Sequence, residues 1–504
     1  MELSQKYLTD TLGENWQDEY YIWDCAAGTG NLLAGLTNKY NIYASTIDQA
    51  DINVMLERIE HGANLLKNHV FQFDFLNDEF KPVSQGGKIP DSLFDIIRDP
   101  EKRKKLVIYI NPPYAEATTA KTVTGTGKNK AGVTTNFKIK QQLNPLIGSA
   151  SNELFALFMA VIYEKLNGVV LGQFSTLKFV NGSNFRKFRN FFLAEYLGGF
   201  VVPAYTFDNV SGKFPIGFTI WNTAVKKKID VVTTDVYDQN GNYSGVKRFY
   251  GNLDRSINNW ISKYQDKKET SIGTLFYRGN DFQNQKYIYI GMGSTKAHDS
   301  ELYLSEKNII SAAIYFSVRH SIKATWLNDR DQFLWPTDVW QSDREFQTDC
   351  LAFTLFHSQN KITSKEGTNH WIPFTEREVN AQERFESHFM TDFIHGKLRP
   401  GKDRELFGPE THQPEPLSFS PEAQAVFEAG RALWKYYHSK PQVNVNASLY
   451  DIREYFQGRN AKGRMNAGSD DRTYMELIGE LKNKLGLLAD KIKPKIYTYG
   501  FLKT

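Results

Sequence analysis

The first half of the chain is predicted to fold as a doubly wound α/β sheet of seven strands. Three observations predict it. Short apolar, β-branched runs alternate with segments of helical periodicity over the first 225 residues, a glycine turn follows the first run, and the fourth run stops on two consecutive prolines.

The elements follow in order. Tyr20 to Asp24 reads as the first strand, with Cys25 to Gly30 as its turn and Asn31 to Tyr40 as the next helix. Asn41 to Asp48 is the second strand and Val70 to Phe75 the third, joined by a helix over Ile52 to Lys67. Leu106 to Ile110 is a buried fourth strand that ends at Asn111-Pro112-Pro113. A helix over Glu153 to Leu166, a strand over Gly168 to Phe174 and a helix over Phe185 to Leu193 come next. Gly198 to Val202 and Pro215 to Asn222 complete the seven. Between Ala115 and Ser149 the pattern lapses into a Thr/Gly/Asn/Lys-rich stretch with Lys121, Lys128, Lys130, Lys138 and Lys140 against Glu116. It reads either as a loop closing over a nucleic acid or as a solvated insertion.

Beyond this region the sequence predicts a mixed α/β or β-rich segment over 226–399, a proline-rich linker over 400–420 and a helical segment over 421–504. Ser420-Pro421-Glu422 opens a helix with a capping hydroxyl and a first-turn proline. Ala423, Val426, Phe427, Gly430, Leu433, Trp434 and Tyr437 then recur at helical spacing, a core stripe.

Bulk properties narrow the function classes. A length of 504 residues calls for two or three domains, and a net charge of +4 excludes a whole-surface polyanion binder while allowing a local basic channel. Two cysteines, Cys25 and Cys350, make no disulfide framework, and no Cys/His spacing suggests a metal. With no signal peptide and no apolar run long enough to span a bilayer, a cytoplasmic protein without a membrane partner is expected.

The chemistry is concentrated at strand ends. Gly28 and Gly30 leave room for a ligand pressed on the backbone, and amides at the start of the following helix could hold a carboxylate. Asp48 closes the second strand about 20 residues beyond that turn, where an acid reaches ribose hydroxyls or simply faces solvent. Asp74, with Phe75 beside it, ends the third strand, where the carboxylate could accept from an adenine amino group and the ring could pack on the base. Asn111-Pro112-Pro113-Tyr114 carries the sharpest signal. An aromatic amine donates its lone pair into its ring, so alkylating it requires acceptors that pull both amino hydrogens out of conjugation. The Asn111 side-chain oxygen and the Pro112 carbonyl can be those acceptors, the prolines fix the turn, and Tyr114 can stack on the base.

These residues carry a family resemblance. Asp24 to Leu33, with Asp24, Ala26, Gly28 and Gly30, resembles the cofactor motif of N6-adenine DNA methyltransferases, and Asn111 to Tyr114 matches their N-P-P-Y. The motif order is similar to that of gamma-class enzymes of type I and type IIG restriction-modification systems. Glu153 to Phe158 resembles the helix bordering the cofactor pocket, and Phe207 to Asn222 the hairpin flanking a flipped base, with Phe207 a second stacking ring. The resemblance covers residues 20 to 225. It implies a Rossmann-like methyltransferase sheet, S-adenosylmethionine as cofactor, no metal, and double-stranded DNA with a flipped adenine as partner. A specificity or restriction subunit is a further implied partner. Cys25 and Ala27 depart from the motif's usual Pro and Cys. The family also places an F-x-T-P-like motif ahead of the first helix, whereas this chain begins at Met1-Glu2-Leu3-Ser4-Gln5, so the resemblance implies a missing N-terminal part.

Target recognition would fall to residues 226–399, in the polar-aromatic clusters Tyr277 to Asn280, Arg319-His320, Asn328 to Asp331 and Gly367 to Trp371, each of which also reads as ordinary loop polarity. Arg453, Arg459, Lys462 and Arg464, interleaved with Tyr455 and Phe456, read as a phosphate-contacting stretch or as a solvated face. N-P-P-Y also serves RNA bases and protein glutamine, so methyltransferases of those classes stay open, as does a DNA-binding subunit with a vestigial methyltransferase fold.

Overall fold

The computed structural model describes residues 1–113, 138–207, 210, 212–253, 255–265, 271–293, 300–398 and 415–503. The chain divides into two compact units, Met1–Leu253 with Thr325–Asp331, and Asp254–Ala324 with Gln332–Thr504.

In the first unit nine strands form one sheet: β1 (Tyr21–Asp24), β2 (Ile42–Thr46), β3 (Val70–Gln72), β4 (Leu106–Ile110), β5 (Val170–Thr176), β6 (Glu195–Pro203), β7 (Pro215–Asn222), β8 (Val231–Tyr237) and β9 (Tyr243–Tyr250). Their order is β3-β2-β1-β4-β5-β7-β6-β8-β9. The first five pair in parallel; β7 runs against both β5 and β6, and β9 against β8. Every residue of β2 and β4 is buried, which is why those strands read as continuous apolar runs and not as alternating ones. Helices Glu2–Leu12 and Gln49–Glu60 cover one face through Leu8, Ile52 and Met55. Helices Asp91–Arg98, Leu154–Lys165 and Arg186–Phe191 cover the other through Leu93, Leu157 and Phe188. The result is an α/β/α layering with helices on both faces of the sheet.

The structure differs from the sequence reading in three places. The sheet has nine strands where seven were expected, because β8 pairs with β6 (Phe200↔Asp235) and β9 folds back on β8. The first unit therefore runs past residue 225 to Leu253. The helix expected over residues 31–40 is a single 3-10 turn, Asn31–Leu33; Gly35, at φ +88°, breaks it, and the Gln5 side chain donates to Ala34 O beside the break. Part of the expected lysine-rich loop is the helix Lys138–Ile147.

The second unit holds a three-stranded antiparallel sheet of β10 (Gly273–Tyr277), β11 (Tyr289–Gly291) and β12 (Ser300–Leu304) in the order β11-β10-β12. Helices Ile309–His320, Arg344–Phe356, Pro421–His438 and Arg472–Thr498 join one core, with Ile314, Leu351, Leu433 and Leu481 in the same cluster. The division expected near residue 420 thus falls inside a shared core. The expected cap is present: the Ser420 hydroxyl accepts from Ala423 N, with Pro421 in the first turn. No helix among the described residues is long and apolar enough to cross a membrane.

Candidate active site

The strand order reverses between β1 and β4, since β2 and β3 lie on one side of β1 and β4 and β5 on the other. In an open parallel sheet the crevice at such a reversal, outside the carboxyl ends of the strands, is where ligands bind. Both motifs singled out in the sequence leave the sheet there. The register Trp23↔Ile108 continues to Asp24 beside Tyr109, and the glycine turn and Asn111 follow immediately. Strands about 4.8 Å apart, rising about 3.3 Å per residue, put the Asp24 and Asn111 backbones about 8 Å apart.

Gly28 (φ +51°) and Gly30 (φ +81°) both take left-handed backbone that side chains resist. A Cβ on Gly30 would press on Met55 at 3.2 Å, so Gly30 also serves packing. A Cβ on Gly28 would meet only Asp51 Oδ2, at 4.0 Å, so the space over that residue is open. The turn is held by Ala27 N donating to Ser45 O and by Arg58, which donates to Thr29 O (2.8 Å) and Asn31 Oδ1 (2.6 Å). Because the segment after the turn is one 3-10 turn, no helix dipole supplements its amides.

Asp24 is 1% exposed. Burial pushes its carboxyl up to about 7, partly offset by a hydrogen bond from Ala26 N to Oδ1 at 3.0 Å. That amide is its one hydrogen-bond donor among the described residues, an unusually sparse shell for a buried carboxylate. Tyr109, next to it across the ladder, is buried and hydrogen-bonded to Ser4 at 2.6 Å, which ties the first helix beneath the site. Asn111 and Pro113 are exposed at the strand end and Pro112 is buried. Tyr114, Lys121, Lys128 and Lys130 lie outside the described residues.

Asp48 and Asp74 stand on the same carboxyl edge, just beyond β2 and β3, and both have local duties. Asp48 is exposed and caps the helix Gln49–Glu60, accepting from Ala50 N at 2.8 Å. Asp74 accepts from Leu76 N, Asn77 N and Asn77 Nδ2, which shapes the turn after β3. Phe75 is buried with its ring parallel to that of Phe158, centroids 5.3 Å apart, in an aromatic cluster with Trp23 and Phe80. Its place is in the core beneath the edge. Phe207 follows β6 on the same carboxyl edge, half-buried and edge-on to Phe174 at 5.7 Å.

Asp51 and Arg58 were not singled out in the sequence. Asp51 follows Asp48 by three residues, so helical spacing could have flagged it as a second acid of the first turn. Nothing local marks Arg58, because its partners are 27 and 29 residues away.

In the second unit several of the residues expected to contact nucleic acid have partners within the fold. Arg453 is half-buried and donates to Ser358 O. Arg459 donates to Glu454, to Gly463 O and to Tyr450 Oη. Arg319 is fully buried, bonded to the Gly279 and Asp281 carbonyls and to Tyr315 Oη, and Trp371 is buried with its indole N–H on Ile272 O. Arg319 and Trp371 thus serve the core, and Arg453 and Arg459 bond within their own fold, whereas Lys462 and Arg464 of the same stretch are exposed. Among the described residues no group of three or more His, Cys, Asp or Glu could hold a metal.

No protein-family model matches the chain, and no curated protein does. Solved structures are similar at low identity. The ATP-dependent Type ISP restriction-modification enzyme LlaBIII bound to DNA shares 13% identity over 55% of this chain and 24% of that one, with a TM-score of 0.32. The Type IIL restriction-modification enzyme MmeI in complex with DNA shares 11% over 99% of this chain and 72% of that one, at 0.35. The M protein of the Type I restriction enzyme EcoKI shares 12% over 44% and 46%, at 0.25. The chain thus spans about a quarter of LlaBIII and about half of the EcoKI M protein. These are distant likenesses, and the functional reading rests on the carboxyl edge itself.

Proposed function

We propose that this chain is an S-adenosylmethionine-dependent methyltransferase acting on the exocyclic N6 of adenine in double-stranded DNA, as part of a restriction-modification system. The observation that carries the reading is that the Gly28–Gly30 turn and Asn111-Pro112 leave neighbouring parallel strands at the point where the sheet order reverses.

The residues suit the cofactor. A buried carboxylate with a single amide donor, Asp24, matches an amino acid's ammonium, and the open space at Gly28 admits a backbone-hugging ligand. Asp48 or Asp51 would take the ribose hydroxyls, and Asp74, through its remaining lone pairs, an adenine amino group. When bound, S-adenosylmethionine supplies an electrophilic methyl group.

The chain's part is positioning. With its base flipped from the duplex, the target adenine presents two amino hydrogens. The Asn111 side-chain oxygen accepts one and the Pro112 carbonyl the other, which localises the lone pair on nitrogen. Tyr114 and Phe207 would clamp the base between rings. No general base is required, because the methylated amine sheds its proton to solvent.

The test is transfer of labelled methyl from S-adenosylmethionine to duplex DNA, RNA and protein in parallel. Label in N6-methyladenine of duplex DNA is expected. Asn111→Ala should lower the rate about 10²- to 10³-fold while leaving DNA affinity within a factor of two or three. Label appearing in RNA or in glutamine instead moves the substrate class, and failure to bind S-adenosylmethionine at all favours the scaffold reading.

A further inference from the structure

The second unit holds a cavity of about 230 Å³ that the proposed methyl transfer does not use. Phe353, Phe356, Leu449, Ile478, Leu481 and Leu485 line it together with Ser358, Ala489 and two imidazoles, His320 and His357, whose ring centroids are 4.9 Å apart. Gly486 also borders it, in the interior of helix Arg472–Thr498, where a Cβ would meet nothing within 4 Å. Glycine weakens a helix interior relative to alanine, and Gly486 is exposed, so the space it leaves opens to solvent. Lys482 is the one charged residue in the lining and there is no carboxylate, so nothing favours a cation.

Hydrogen bonds fix the tautomer of each ring. His320 Nε2 lies 2.9 Å from Ile288 O; a carbonyl only accepts, so the proton is on Nε2 and Nδ1 carries the lone pair. His357 Nδ1 accepts from Gln359 N at 3.2 Å, so its proton is on Nε2. Burial holds both rings well below the ordinary histidine range, His357 at about 4 with the Arg453 charge adding to the effect, so both are neutral at pH 7. Neither His320 Nδ1 nor His357 Nε2 has a hydrogen-bond partner among the described residues, and neither is among the polar atoms sealed from access. One of the two adjacent rings thus carries an acceptor nitrogen and the other a donor, in a lining whose remaining polar residues are Ser358 and Lys482.

We propose that this cavity binds a small planar molecule whose edge carries a hydrogen-bond donor beside an acceptor, a lactam or primary aromatic amide, with its ring against Phe353 and Leu485. The ligand N–H would meet His320 Nδ1 and its carbonyl would accept from His357 Nε2. A dry cavity of about 150 Å³ is enough for benzene, so this one has room for a single substituted ring.

Benzamide is a direct probe, titrated into the full chain at pH 7.5 by ligand-detected NMR with toluene as the apolar control. Saturable benzamide binding at least tenfold tighter than toluene is expected. Gly486→Leu should abolish it while leaving the melting temperature no lower, and His357→Phe, which keeps a ring and removes the N–H, should weaken it tenfold or more. Should Gly486→Leu fail to fold, His357→Phe alone decides. Absence of saturable benzamide binding, equal binding of toluene, or unchanged affinity in His357→Phe would each overturn the assignment.

Discussion

The carboxyl edge of the first unit and the arginine-bearing surfaces of the second unit were both marked by the sequence as functional, and the structure treats them in opposite ways. At the edge, Gly28, Gly30, Asn111 and Pro112 remain at a strand reversal, with open space over Gly28 and Asn111 exposed. In the second unit, Arg319, Arg453 and Arg459 have turned inward or onto neighbours. The difference teaches that a backbone signal survives folding better than a side-chain one. Glycine and proline act through φ, which the local chain sets, whereas a guanidinium binds whichever acceptor the tertiary structure brings within reach.

The comparison can be broken by substitution, and the largest effect is expected at Arg319. Arg319→Met would remove three hydrogen bonds inside the core, to Gly279 O, Tyr315 Oη and Asp281 O, leaving the two carbonyls only the longer bonds from Asn258 Nδ2 (3.2 Å) and Asn284 N (3.3 Å). A loss of about 3–5 kcal/mol in urea unfolding is expected, with no specific effect on methyl transfer. A stable variant with altered DNA sequence preference would return Arg319 to the recognition role.

Asp24 comes next. Its folded carboxyl, at about 7, lies above the ordinary carboxylate value, so between about pH 4 and 7 the folded state holds a proton that the unfolded chain releases. Its contribution to the stability of the cofactor-free protein is therefore fully present below about pH 4 and is lost as pH rises to about 7, by up to about 4 kcal/mol. Asp24→Asn should flatten that decline in urea midpoints measured from pH 4 to 8, and weaken S-adenosylmethionine binding at pH 8. Parallel pH profiles for the two proteins would mean that the carboxylate is already compensated.

A smaller effect separates the two acids of the second strand end. Asp48→Ala should cost about 1 kcal/mol by removing the helix cap, while Asp48→Asn keeps the cap and the stability. If Asp48→Asn also keeps cofactor affinity and Asp51→Asn loses it, the ribose contact belongs to Asp51, whose carboxylate stands nearest Gly28. The smallest effect is expected at Arg459. With its donors on Glu454, Tyr450 and Gly463, Arg459→Ala should leave the slope of log affinity for DNA against log salt unchanged. A slope reduced by about 0.9 would mark it as a phosphate contact.

Much of the fold was legible in advance, for identifiable reasons. β4 and β7 have the bounds read from the sequence, since each is an apolar run stopped by a breaker or a change of pattern. The helix after the glycine turn was misjudged because Asn31 to Tyr40 has tolerable helical spacing, yet Gly35 takes a φ that ends the helix. β8 and β9 were placed outside the first region because their membership depends on pairing with β6, some 35 residues earlier in the chain. At the site, the Asp24 turn and Asn111 were legible, while Arg58 and the burial of Phe75 were not.

By itself the sequence determined where β1, β4 and β7 stop and that the backbone turns at Gly28 and Gly30, since those depend on a residue's own sterics and its immediate neighbours. Only the tertiary structure decided which strand ends meet, that Asp24 is sealed with one donor while Asp48 caps a helix, and that Arg319, Arg453 and Arg459 are spent on carbonyls, hydroxyls and a carboxylate of their own fold. Those outcomes depend on burial and on partners tens of residues away, and no local pattern encodes either.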